Sequence, residues 1–87
     1  MDALMTKLRA EAHDCHSWSN GPGDRYASHS HRYDKVLYCV DGSIIFVLEA
    51  EGRQFELSGG DRMMLPAGRV HSAVVGPGGC SCIKGRR

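Results

Sequence analysis

The chain has 87 residues, enough for one domain and too few for two independent cores. Its 11 basic and 10 acidic residues are intermixed to a formal charge of +1, which excludes the basic stripe of a nucleic-acid binder; GRR at the C-terminus is a small basic tail. No apolar run approaches the roughly 20 residues of a membrane span, and MDALMTKLRAEA lacks the apolar core and cleavage site of a signal peptide, so a cytoplasmic location is expected.

The four cysteines, Cys15, Cys39, Cys80 and Cys82, fit a reduced compartment. Cys80 and Cys82 are spaced as neighbours on one strand face, unlike the two-residue gap of structural zinc sites. All four are expected to be small buried or half-buried residues. A chain of this size buries roughly 60–65% of its extended surface on folding, a thin margin that favours a homodimer.

In chain order, Leu4, Leu8 and Ala12 recur at i,i+4 with Lys7, Arg9 and Glu11 around the wheel, which predicts a short amphipathic helix over 1–12. From residue 13 to 87 the pattern is β. The segments KVLYCV, SIIFVLEA, RQFELS, DRMMLP, VHSAVV and CSCIK are separated by turn signals at NGPGD (20–24), DG (41–42), EG (51–52), SGGD (58–61), PAG (66–68) and GPGG (76–79). Asp41-Gly42 predicts a hairpin between the first two segments, because both residues tolerate positive φ; Glu51-Gly52 is a second, weaker signal. Many short strands with regular turns predict an all-β sandwich or small barrel. The continuous apolar run Ile44–Leu48 suits a strand buried on both faces, covered from outside by the helix or by a second subunit.

His29 and His31 stand at i,i+2, where a strand would aim both imidazoles to one side, each able to reach a metal at about 2.0–2.1 Å. His71, after the Pro66-Ala67-Gly68 turn, offers a third imidazole if its strand faces the first two. Three histidines with an open position are a known catalytic ligand set. Periodicity alone does not make them converge.

The spacing of these residues resembles the cupins, small cup-shaped β-barrels. The first cupin motif is matched by Gly23, DRYAS, His29-Ser30-His31, RYD, Lys35, VLYCVD and Gly42. The second is matched by Gly60, DRMML, Pro66-Ala67-Gly68, Arg69-Val70, His71, SAV and Val75. Eight fixed positions agree, over roughly residues 13 to 84. The resemblance implies the cupin double-stranded β-helix, a small jelly-roll barrel. It also implies His29, His31 and His71 as ligands to a divalent metal (Zn, Ni, Fe, Cu or Mn). Two positions depart from the pattern: Val75 replaces an asparagine, and Lys35 replaces the glutamate that is the fourth protein ligand in metal-binding cupins.

A lysine there is costly to a metal. An ammonium about 4 Å from a divalent ion is repelled by about 8 kcal/mol at an effective dielectric near 20. Three arrangements stay open: a weakened three-histidine metal site, a metal-free cationic pocket for a carboxylate or phosphate, or a Lys35 directed to the surface. Strand alternation puts Lys35, Leu37 and Cys39 on one face with Tyr33, so Tyr33, Lys35 and Cys39 are the residues expected to modulate the pocket. A packing role is the alternative for Cys39. No aspartate or glutamate can be placed inside the cup, so no reaction class follows and enzymatic activity stays open. His13 and His16 beside Cys15 read as exposed strand residues, Trp18 as core or cup edge, and Met63 and Met64 as core. Asp61 reads as a turn residue, and Arg25, Arg62 and Arg69 as solvated charge. The expected function is a cupin that binds a divalent metal and a small molecule; the alternative is a metal-free ligand-binding or sensor module.

Overall fold

A computed structural model describes residues 2–87, with the element order α1 (Asp2–Glu11), β1 (His13–Asn20), β2 (Arg25–His29), β3 (Lys35–Leu48), β4 (Arg53–Ser58), β5 (Arg62–Leu65) and β6 (His71–Arg86). All strand pairings are antiparallel. Two long strands organise the rest. The first part of β3 pairs with β5 and with the last part of β6, which also carries β1. The second part of β3 pairs with β4 and with the first part of β6, which also carries β2. The result is two four-stranded layers sharing β3 and β6, a double-stranded β-helix as the motif spacing implied.

The sharing corrects the predicted hairpin at Asp41-Gly42. Residues 35–48 form one strand, and the pairing with β6 slips between Cys39 and Asp41 and again between Gly42 and Ile44. Gly42 does take positive φ, at 74°, but it serves a bulge that bends the strand from one layer into the other. A Cβ at this position would collide with the Gly79 carbonyl, so the crossing needs glycine. VHSAVV and CSCIK are likewise one strand, β6, and GPGG lies within it rather than between strands. The Glu51-Gly52 turn does join β3 to β4, with the Gly52 N–H donating to the Glu49 carbonyl at 3.2 Å.

The layers enclose a core of Leu37, Cys39, Ile44, Phe46, Leu48, Leu57, Met63, Leu65, Ala73, Val75, Cys80 and Cys82. Outside, α1 lays Leu8, fully buried, on Val36, Tyr38 and Ile83, with Leu4, Met5 and Ala12 around it. Burying a leucine in this way contributes about 2 kcal/mol. The Tyr38 hydroxyl donates to Glu11 at 2.6 Å, and Arg62 donates to the same carboxylate at 2.6 and 3.1 Å, which ties the helix end to β3 and β5. The helix therefore covers the start of β3, not the Ile44–Leu48 run. In that run Ile44, Phe46 and Leu48 are buried while Ile45 and Val47 are half-buried, so within one chain only the inner face is fully covered. Among the described residues no helix is long and apolar enough to cross a membrane.

Candidate metal centre

Chain register builds the histidine cluster. His29 ends β2 directly opposite His71, the first residue of β6, and their ring centroids lie 4.4 Å apart. The strand stops at His29, so His31 arrives from the following loop rather than by alternation. Its ring nevertheless sits 5.0 Å from that of His29 and 5.2 Å from that of His71. Two hydrogen bonds hold this loop against the Pro66–Gly68 turn. The Gly68 N–H donates to the His31 carbonyl at 2.8 Å, and the Ala67 N–H donates to the Asp34 carboxylate at 2.8 Å. One ring nitrogen from each histidine falls within a 4.8 Å cluster.

The protonation pattern follows from the partners. His29 Nδ1 is 2.8 Å from the Ala27 carbonyl and His71 Nδ1 is 3.0 Å from the Arg69 carbonyl. A carbonyl can only accept, so both Nδ1 atoms carry the hydrogen and both Nε2 atoms keep a free lone pair. His71 is 1% exposed, and its Nε2 is buried with no hydrogen-bond partner. Burial pushes the His31 imidazole down to about 4, with Lys35 and the other two histidines adding to the effect. His71 is lowered too, mainly by burial. Three ring nitrogens gathered within one cluster, two of them on imidazoles whose proton affinity burial lowers, make a donor set that fits a divalent ion.

These rings line a cavity of about 220 Å³ with Trp18, Tyr26, Lys35, Ile44, Phe46, Ala73 and Lys84. Lys35 faces this cavity, 9% exposed, at the start of β3. Burial first, and Lys84 second, lower its ammonium to about 8. No aspartate or glutamate is among the lining residues, as expected from the sequence. Tyr33 stands beside His31, ring centroids 5.2 Å apart, but opens onto a neighbouring cleft with Asp14, His16 and Arg86. Cys39 does not line the cavity: it lies in the core, its thiol directed at the Asp41 and Gly42 carbonyls and its pKa raised by burial. Its strand face is the predicted one, but Leu37 and Cys39 lie successively deeper than Lys35 and reach packed core.

Lys84, Tyr26 and Trp18 complete the cavity. Lys84 had a sequence signal, since Cys80, Cys82 and Lys84 alternate along one strand. Arg62 pairs with Glu11 and Arg69 with Glu51, while Arg25 is exposed; none of the three lines the cavity. His13 and His16 are exposed as expected. Asp61 closes its turn by accepting the Ser58 N–H at 2.9 Å.

Comparison with known proteins agrees with this architecture. Residues 11–80 match the family model for the cupin domain. Quercetin 2,3-dioxygenase of Bacillus subtilis (strain 168) is 38% identical over 56 residues, which are 62% of this chain and 16% of that enzyme. A solved RmlC-like cupin of Shewanella frigidimarina NCIMB 400 superposes with a TM-score of 0.72 at 26% identity, over 83% of this chain and 62% of that one. The polyketide cyclase RemF of Streptomyces resistomycificus superposes with a TM-score of 0.73 at 27% identity, over 83% of this chain and 52% of that one. The chain thus spans less than two thirds of each of these relatives. A family match over most of the sequence, on a double-stranded β-helix with its histidines gathered inside, leads to one assignment: the chain belongs to the cupin family.

Proposed function

We propose that this cupin binds a divalent metal through His29, His31 and His71 and takes a small molecule in the cavity beside it. The observation that carries this reading is the buried His71 Nε2, which has no hydrogen-bond partner and shares its 4.8 Å cluster with a nitrogen from each of the other two rings. An unsatisfied buried acceptor costs about 1–3 kcal/mol, and a bound cation would offset that cost. When bound, such an ion supplies Lewis acidity toward an oxygen ligand or activates water. The chain's own residues do the rest. Ala27 and Arg69 carbonyls fix two ring orientations, Phe46 backs His71 at 6.4 Å, and Trp18, Ile44 and Ala73 wall the cavity against water.

Elemental analysis of untagged protein after metal supplementation tests this reading. It should find close to one ion per chain, and His71→Ala should lose it, with affinity lowered about a hundredfold or more. Protein that stays metal-free after supplementation overturns it. The relatives' names, a dioxygenase and a cyclase, do not converge on one reaction, and the shared fold selects none. A second reading, a metal-free ligand-binding module, is favoured by one observation: two lysines and no carboxylate line the cavity.

A further inference from the structure

Lys35 and Lys84 come from adjacent strands and face the same space. Lys35 lies opposite Arg86 and Leu37 opposite Lys84 in the β3–β6 register, which makes the two lysines diagonal neighbours on one face. Their ammonium nitrogens sit 5.4 and 5.2 Å from the centroid of a single ring, that of Trp18. Neither ammonium group has an ion pair among the described residues, where every ion pair uses an arginine or a histidine. The nearest carboxylate by cleft, Asp14, is exposed and is engaged by His13 and Arg86.

The energetics of such a pair are unfavourable as it stands. Withdrawing a charge from water costs several kcal/mol, and a cation–π contact offsets about 0.5–2 kcal/mol of that. Two like charges beside one indole add mutual repulsion, and its effect is already visible at Lys35, which Lys84 helps to lower. A carboxylate about 4 Å from one ammonium would gain about 4 kcal/mol at an effective dielectric near 20. Opposite the lysines, Ile44, Phe46 and Ala73 offer apolar surface and no anion.

We propose that Lys35 and Lys84 form an anion subsite and that the cavity's ligand is a small organic anion, its charged head between the two ammonium groups and its apolar body against Trp18, Ile44 and Phe46. The proposal rests on reading the cavity as a small-molecule site and not on the metal. Size sets the class further. An apolar cavity of about 150 Å³ holds a benzene ring. The 220 Å³ here therefore admits one ring or short branched chain with a single carboxylate or phosphate.

Trp18 is the chain's only tryptophan, so its fluorescence reports directly on the subsite. The experiment titrates chelator-stripped protein with benzoate, its neutral isostere benzamide and inorganic phosphate, and measures zinc binding in parallel. Benzoate should perturb Trp18 and bind at least about tenfold more tightly than benzamide. Lys84→Met and Lys35→Met, each checked for native circular dichroism, should each weaken benzoate by about tenfold or more. Equal binding of benzoate and benzamide, or undiminished benzoate binding in both variants, overturns the proposal. So does phosphate binding without benzoate binding, which would leave the apolar body unused. Loss of zinc binding alone counts against the histidine reading and not this one. Zinc bound without any benzoate response counts against this one alone.

Discussion

The cavity has two walls that ask for opposite partners. One comes from β2, the start of β6 and the loop after β2, and presents three imidazoles, of which His31 and His71 are lowered mainly by burial. The other comes from the start of β3 and the end of β6, and presents two ammonium groups with no acid in the cavity lining. On the proposed readings the first wall would be satisfied by a cation and the second by an anion. Of the long strands only β6 serves both walls, His71 at its start and Lys84 near its end, so the two walls rest on largely separate elements. Desolvation acts in the same direction at His31, His71 and Lys35, disfavouring the charged form of each, yet leaves a lone pair on one wall and a loosened ammonium on the other.

The sharpest way to break the contrast is to move a charge from one wall to the other. Lys35→Glu replaces a repelling cation with an anion beside the histidines, and at about 4 kcal/mol per unit charge before screening it should raise zinc affinity by about a hundredfold or more in calorimetry. The same change should abolish benzoate binding. An unchanged zinc affinity would mean that position 35 does not sense the histidine wall.

Neutralising the lysine without replacing it should act on stability. The ammonium is depressed from 10.5 to about 8, so its charged form is disfavoured in the folded state by about 3 kcal/mol. Lys35→Met should therefore stabilise the ligand-free protein by up to about 3 kcal/mol in urea denaturation. The sign fixes the pH window as well. The unfolded chain holds more protons between pH 8 and 10.5, so wild-type stability gains from Lys35 as pH rises through that range, and Lys35→Met should lack the gain.

The smallest effect concerns the support behind the lysine wall. Glu11 receives Tyr38 and Arg62, and these bonds hold its carboxyl down at about 2. Its contribution is present above 4.5 and is lost as pH falls toward 2. Glu11→Gln should cost about 1 kcal/mol in urea denaturation and flatten that acid limb, while zinc binding at the far wall stays as it was.

The histidine wall was legible because a fixed spacing carried it: H-x-H, then His71 after a Pro-x-Gly turn. The lysine wall was half legible. Lys35 stood at a motif position, whereas Lys84 belonged to no motif and needed the Cys80–Cys82 alternation carried two residues further. The Asp41-Gly42 signal was a true signal of positive φ read as the wrong element. Left-handed backbone serves a tight turn or a bulge equally well, and only the partner strand decides. Ile45 and Val47 are half-buried within one chain, and the helix that was one of their two expected covers lies elsewhere. The helix instead found Val36, Tyr38 and Ile83, residues that periodicity could not distinguish from any other apolar face.

Asp34 has a consequence for how metal would come and go. Its carboxylate accepts the Ala67 N–H at 2.8 Å and its carbonyl accepts the Arg87 N–H at 2.9 Å, so three distant stretches of chain are clasped near the rings. Ligands arranged by the scaffold spare an incoming ion most of the ordering entropy that unfolded zinc peptides must supply. If the proposed ion binds, a centre assembled in advance should let it be stripped and refilled while the barrel stays folded.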